Sequence, residues 1–195
     1  MNLPNKITLS RIVLALIFMF LLFCRGIVAR YLALFTFCLA SLTDFFDGRI
    51  ARRRKLENNF GRLMDPIADK ILILAAFLAF VEMKIIPAWM VIIIIFRELV
   101  ITGLRINAAT RGIILSASLA GKHKTASQIV AVLSILIFLI IRESAQEFWS
   151  PLKELWFRRG VFYLMLFTVI LTLISGLSYL IRNKEALFSV NEKSN

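Results

Sequence analysis

The sequence predicts an all-α fold, a polytopic membrane bundle of six transmembrane helices with a short interfacial helical turn at its N-terminus. Three observations predict it. Hydrophobic residues make up 59% of the 195 positions and charged residues only 18%, with a mean hydropathy of +0.82; soluble domains hold about 45–50% apolar and about 25% charged residues. Apolar runs recur at roughly the 20-residue length a helix needs to cross a bilayer. Most basic residues flank those runs rather than interrupt them. No internal repeat or low-complexity tract divides the chain, so residues 1–195 are read as a single membrane domain.

The six runs are residues 7–24, 31–50, 67–83, 85–109, 126–141 and 161–181. The first opens on Thr8, Ser10 and Arg11, a polar turn expected to lie in the interface before the chain enters the bilayer. It lacks the small-residue cleavage site of a secretory signal and is expected to be retained. The fifth run is short. Between it and the sixth, the stretch from Trp149 to Trp156 reads as an interfacial segment bearing an aromatic belt.

Composition also excludes chemistries. Two cysteines, Cys24 and Cys38, both in apolar runs, build neither a disulfide framework nor a zinc site. One histidine, His123, rules out multi-histidine metal centres and leaves a Ser/His/Asp triad without support elsewhere. The net charge of +12 reads as membrane topology and contact with anionic headgroups, not as nucleic-acid binding. With the N-terminus in the cytoplasm, inside segments carry thirteen basic residues and outside loops seven. The positive-inside rule therefore places both termini on the cytoplasmic side of the cell inner membrane, although the last outside loop carries four of the seven.

The chain's four aspartates are Asp44, Asp47, Asp65 and Asp69, at the end of the second run and the start of the third. On a helix, residues three apart are separated by about 60° and residues four apart by about 40°, so each pair shares a face. The short polar connection makes the two helices antiparallel neighbours and brings both pairs to one membrane end. Four carboxylates in a low-dielectric setting demand neutralisation, either by protonation or by cations. Lys70 and Arg52 can each serve one of them. A pair of divalent ions would serve all four, and an all-oxygen donor set suits Mg²⁺, Mn²⁺ or Ca²⁺. Gly48, Ala51 and Gly61 leave the facing surfaces open, either for close helix packing or for a flat ligand. Arg52 offers a fork suited to phosphate oxygens.

Asp44-x2-Asp47-Gly48-x2-Ala51-Arg52-x8-Gly61-x3-Asp65-x3-Asp69 resembles, at eight specified positions, the signature of the CDP-alcohol phosphatidyltransferases. The resemblance implies a six-helix membrane enzyme whose Asp44, Asp47, Asp65 and Asp69 hold two Mg²⁺ or Mn²⁺ ions. It implies Asp69 as the catalytic base on the acceptor hydroxyl, and Asp47, Gly48, Ala51, Arg52 and Gly61 as the CDP site. The active site would then be cytoplasmic and the donor CDP-diacylglycerol, an amphiphile that needs both bilayer and water.

The acceptor is read from a second group of charges, Arg97, Glu98 and Arg105 in the fourth run and Lys122 and Lys124 before the fifth. Arg97 and Glu98 read equally well as part of an internal network that ties the bundle together. Arg105, Lys122 and Lys124 are candidate ligands for an acceptor that carries its own phosphate; Lys122 and Lys124 also fit headgroup contacts. Three stretches resemble the branch of the family whose acceptor is sn-glycerol 3-phosphate: Pro4-Asn5-Lys6-Ile7-Thr8-x2-Arg11, Arg97-Glu98-Leu99-x5-Arg105 and Gly121-Lys122-x-Lys124-Thr125-x2-Gln128. Inositol phosphate or phosphatidylglycerol as acceptor, and a cation transporter using intramembrane carboxylates, remain the alternatives. Expected partners are the two substrates and membrane lipids; a homodimer is compatible with such a bundle, and no nucleic-acid partner is expected.

Overall fold

A computed structural model of the protein describes residues 3–54, 59–110, 119–145 and 148–184; within them, the side chains of residues 3–9, 43–54, 59–69, 109, 119–120 and 122 lie outside the description. Among the described residues there are six helices and no strand: α1 (Leu3–Phe23), α2 (Ile27–Arg54), α3 (Asn59–Glu82), α4 (Ala88–Thr110), α5 (Leu119–Ser144) and α6 (Pro151–Arg182). Each apolar run falls mainly in its own helix, with Cys24, Met83 and residues 85–87 just outside, and the helices overrun the runs chiefly at their polar ends. Membrane helices continue into the interface because their backbone hydrogen bonds are made within the segment and cost nothing extra there.

Both segments with interfacial composition are helical. The N-terminal polar turn belongs to α1, which is continuous from Leu3, and Arg11 is buried in the bundle. Pro4 interrupts nothing, because a proline in the first turn loses no intrahelical hydrogen bond. Likewise, most of the stretch before the sixth run is the start of α6. Ser150 caps that helix, its hydroxyl accepting from the Lys153 N–H at 3.3 Å, with Pro151 in the first turn and Glu154 near the positive end of the dipole. The resulting 32-residue helix is about 48 Å long, well beyond the roughly 30 Å of a hydrocarbon core.

Two reversals are set by backbone chemistry. Gly26 adopts φ 103° between α1 and α2, a left-handed conformation in which a side chain would be strained. Lys84 (φ 57°) ends α3 in a Schellman arrangement: the Ile85 N–H donates to the Phe80 carbonyl and the Lys84 N–H to the Val81 carbonyl, each at 2.9 Å.

Packing follows membrane rules. Helix α1 lies against α2 and α3, α5 against α2, α3 and α6, and α4 against α3 and α6; α2 and α3 also touch. The interior mixes bulky Phe18, Phe37, Phe77, Phe80 and Met165 with small Ala33, Ala40, Ala76, Ala79 and Ala131. Small residues let backbones approach, and the aromatics fill what remains; the Phe18 and Phe37 rings meet at 5.5 Å. The outside is apolar as well. Phe20, Phe35, Phe96, Leu99, Phe167 and Ile181 are each more than half exposed, far more apolar surface than a soluble monomer presents to water. Among the described residues, His123–Ser144 and Pro151–Arg182 are long and apolar enough to cross a membrane, and Ser10–Phe23 and Ile27–Leu42 are shorter apolar helical stretches.

Candidate active site

The aspartate motif occupies two helix ends. Asp44, Asp47, Gly48, Ala51 and Arg52 fall in the last turns of α2, and Gly61, Asp65 and Asp69 in the first turns of α3. Both segments are α-helical, so the angular relation within each pair holds as expected from spacing. The side chains of these eight residues lie outside the described residues, and so does the side chain of Lys122.

Directly inward from the motif lies a polar cluster in the bundle. Lys70 follows Asp69, and Ser41 precedes Asp44 by three residues, about 4.5 Å along the helix. Both line a cavity of about 190 Å³ together with Arg11, Glu98, Lys124, Gln128 and Thr125. Five helices, α1 to α5, thus contribute polar groups to one chamber. It is strongly biased towards donors: Arg11, Lys70 and Lys124 are cationic, Gln128 and the hydroxyls are neutral, and Glu98 is the one carboxylate among its described lining residues.

Glu98 organises these charges. Its Oε1 accepts from the Lys124 ammonium and lies 3.4 Å from Arg97 Nη1; its Oε2 lies 3.3 Å from Lys70 Nζ. Lys70 also donates to the Thr102 hydroxyl. Arg97 Nη2 donates to Ser175 Oγ on α6 at 3.0 Å. Gly176 makes that possible, since a Cβ there would come within 3.2 Å of Arg97 Cγ and 3.3 Å of its Nε. One buried carboxylate therefore ties α3, α4 and α5, and Arg97 carries the tie to α6. Burial of ionised groups is tolerated only when each charge is paired and hydrogen-bonded.

Gln128 has a different standing. It is buried against α5's neighbours and lines the cavity, yet among the described residues its Nε2 meets no hydrogen-bond acceptor. A buried amide without a partner costs about 1–3 kcal/mol, a cost that a ligand bearing acceptor oxygens would relieve.

The structure thus sorts the sequence-derived candidates. Arg97 and Glu98 form the internal network. Lys124 sits in the cavity, held by Glu98. Arg105 shares Glu98's side of α4 but lies two turns further along, where it is exposed and lines no part of the cavity. Lys70 turns to Glu98 and Thr102. Arg11 and Gln128, on α1 and α5, were readable only as residues of two separate motif-like stretches; nothing in their local sequence signals that they share a chamber.

These features define the class. The pattern of the CDP-alcohol phosphatidyltransferase family matches residues 1–178, and the chain belongs to that family, whose members are membrane proteins. Among individual relatives, it is 39% identical over 202 residues to a CDP-diacylglycerol–glycerol-3-phosphate 3-phosphatidyltransferase of Bacillus subtilis, covering 97% of this chain and 99% of that protein. It is 41% identical over 134 residues to a probable phosphatidylglycerophosphate synthase of Mycobacterium tuberculosis, covering 67% of this chain and 64% of that protein. A Rickettsia typhi protein with the same description as the Bacillus one is 38% identical over 136 residues, or 70% of this chain and 76% of the relative.

Proposed function

We propose that the protein is a phosphatidylglycerophosphate synthase, transferring the phosphatidyl group of CDP-diacylglycerol to sn-glycerol 3-phosphate with release of CMP. The observation that carries the assignment is the near-full-length similarity to the Bacillus enzyme, joined to the eight-position aspartate motif at adjoining helix ends. All six helices span the membrane, with both termini and the reaction centre at the cytoplasmic face of the inner membrane.

The donor set of the motif fits hard divalent cations: four carboxylates on two helix ends, with no thiol or imidazole within it. Asp44, Asp47, Asp65 and Asp69 would hold two such ions, Mg²⁺ or Mn²⁺. When bound, they offset the charge of the donor's pyrophosphate and of the departing CMP. Gly48, Ala51 and Gly61 leave room for the cytidine, and Arg52 forks onto phosphate oxygens. Asp69 takes the proton from the acceptor hydroxyl as its oxygen bonds to the phosphatidyl phosphorus and the bond to CMP breaks. The acceptor's own phosphate enters the cavity beside Lys70, where Lys124 supplies charge and Gln128 an unused donor. Arg105 and Lys122, by their positions on α4 and α5, extend the basic strip towards the surface. Glu98 keeps Lys70 and Lys124 fixed, so little reorganisation is needed when the anion arrives.

The test is a solubilised assay offering glycerol 3-phosphate, inositol phosphate, serine and phosphatidylglycerol in parallel, with and without EDTA. CMP release that needs glycerol 3-phosphate and fails on chelation supports the assignment. Release with another of the four in its place overturns the acceptor, and EDTA-resistant turnover overturns the metal centre.

A further inference from the structure

The end of the bundle away from the aspartates is also basic. Arg25, Arg30, Lys84, Arg142, Lys153, Arg158 and Arg159 stand there against Glu82, Glu143 and Glu154 among the described residues. In the proposed orientation this is the outer face, where topology alone calls for few basic residues. Their presence needs a local reason.

A second cavity lies there, of about 430 Å³, bounded by the start of α2, the ends of α3 and α5, and the residue before the α6 cap. Its lining residues are Arg30, Arg142, Glu143, Trp149, Met83 and Leu139. The two arginines are loosely matched by carboxylates. Arg30 Nε is 3.5 Å from Glu143 Oε2, and Arg142 Nε is 3.7 Å from Glu154 Oε2. Glu154 is more closely engaged elsewhere, by Arg158 Nε at 2.9 Å and Trp149 Nε1 at 3.1 Å. Arg30 is anchored by an Nη1 hydrogen bond to the Leu22 carbonyl, which holds its fork in place at the cavity wall. A guanidinium has five donors, and two such forks around one space suit phosphate oxygens better than any neutral ligand.

Depth selects the kind of phosphate. Phe148, Leu152, Leu155 and Trp156 are exposed beside the cavity, an aromatic and aliphatic belt of the sort found at headgroup level. Met83, Leu139 and Trp149 give the cavity apolar walls, and Trp149 directly follows Phe148 of that belt in sequence. Apolar walls suit an amphiphile, and the net positive lining suits an anionic one.

We propose that this cavity is a binding site for the phosphate headgroup of an anionic phospholipid, with Arg30 and Arg142 as its two forks. It is separate from the reaction centre, lying at the opposite end of the helices, and it does not rest on the proposed activity.

The test uses the full-length protein in nanodiscs of phosphatidylcholine alone or mixed with phosphatidylglycerol, followed by native mass spectrometry of retained lipid. Wild-type protein is expected to retain phosphatidylglycerol at least about tenfold over phosphatidylcholine, and Arg30→Gln/Arg142→Gln to lose that preference. Arg158→Gln, outside the cavity lining, should keep it. Arg142→Gln alone replaces a half-exposed side chain and should lower the preference several-fold, which keeps the proposal decidable should the double variant fail to fold. Inorganic phosphate at millimolar concentration should not displace the lipid. An unchanged preference in the Arg142 variant, no preference in the wild type, or displacement by free phosphate would each overturn the proposal.

Discussion

Replacing Glu98 with leucine removes the carboxylate on which Lys124, Arg97 and Lys70 converge. The three cations are not equally exposed to the loss. Arg97 keeps Ser175, and Lys70 keeps Thr102 and about a third of its side-chain surface in contact with solvent. Lys124, only 6% exposed, is the group stranded in the interior. Breaking a buried pair by removing one partner costs about 3–5 kcal/mol, whereas replacing both partners with apolar groups is often neutral. Glu98→Leu should therefore destabilise the protein by about 3–5 kcal/mol, and Glu98→Leu/Lys124→Met should recover at least about 2 kcal/mol of that loss. Equilibrium unfolding in mixed detergent–SDS micelles, followed by tryptophan fluorescence, measures both. A single-variant cost below about 1 kcal/mol, or a double variant no more stable than Glu98→Leu, would refute the claim that the carboxylate is needed to hold Lys124.

Other perturbations separate the reaction centre from its supports. Asp69→Asn should abolish CMP release while the protein still inserts and binds CDP-diacylglycerol, measured by turnover beside a donor-binding assay; retained turnover removes Asp69 as the base. Gln128→Leu should improve stability and weaken acceptor binding. Stability rises by about 1–3 kcal/mol as an unpartnered buried amide is lost, while the KM for glycerol 3-phosphate rises and the donor KM stays. Gly176→Ala should cost under about 1 kcal/mol, because the flexible Arg97 chain can give way by a few tenths of an ångström. Gly176→Leu should drive Arg97 from Ser175 and cost about 1.5–3 kcal/mol, the range for hydrogen bonds to charged groups; thermal unfolding in detergent checks both.

Much of this molecule is local information. The α6 start shows where local reading stops: Trp149 to Trp156 has interfacial composition, and that composition is real, yet the segment is mostly helix because Ser150, Pro151 and Glu154 form a strong start signal. Composition reports the medium and capping reports the backbone, and the two need not change at the same residue. Arg11 shows the converse. Its neighbours Thr8 and Ser10 suggest a wet surface, but α1 packs on both α2 and α3, and that contact turns Arg11 into a shared cavity.

The order of the aspartates, their shared faces and the lengths of the apolar runs follow from spacing alone, because helical register and bilayer thickness are fixed distances that a sequence can be measured against. Tertiary structure decided which charges meet. Glu98 and Arg105 are nearly eclipsed on α4, yet one is buried among cations and the other exposed two turns away. Glu98 finds Lys124 and Lys70 on two other helices instead. Partner choice depends on depth in the bundle and on which helix stands alongside, and no periodicity within one segment encodes either.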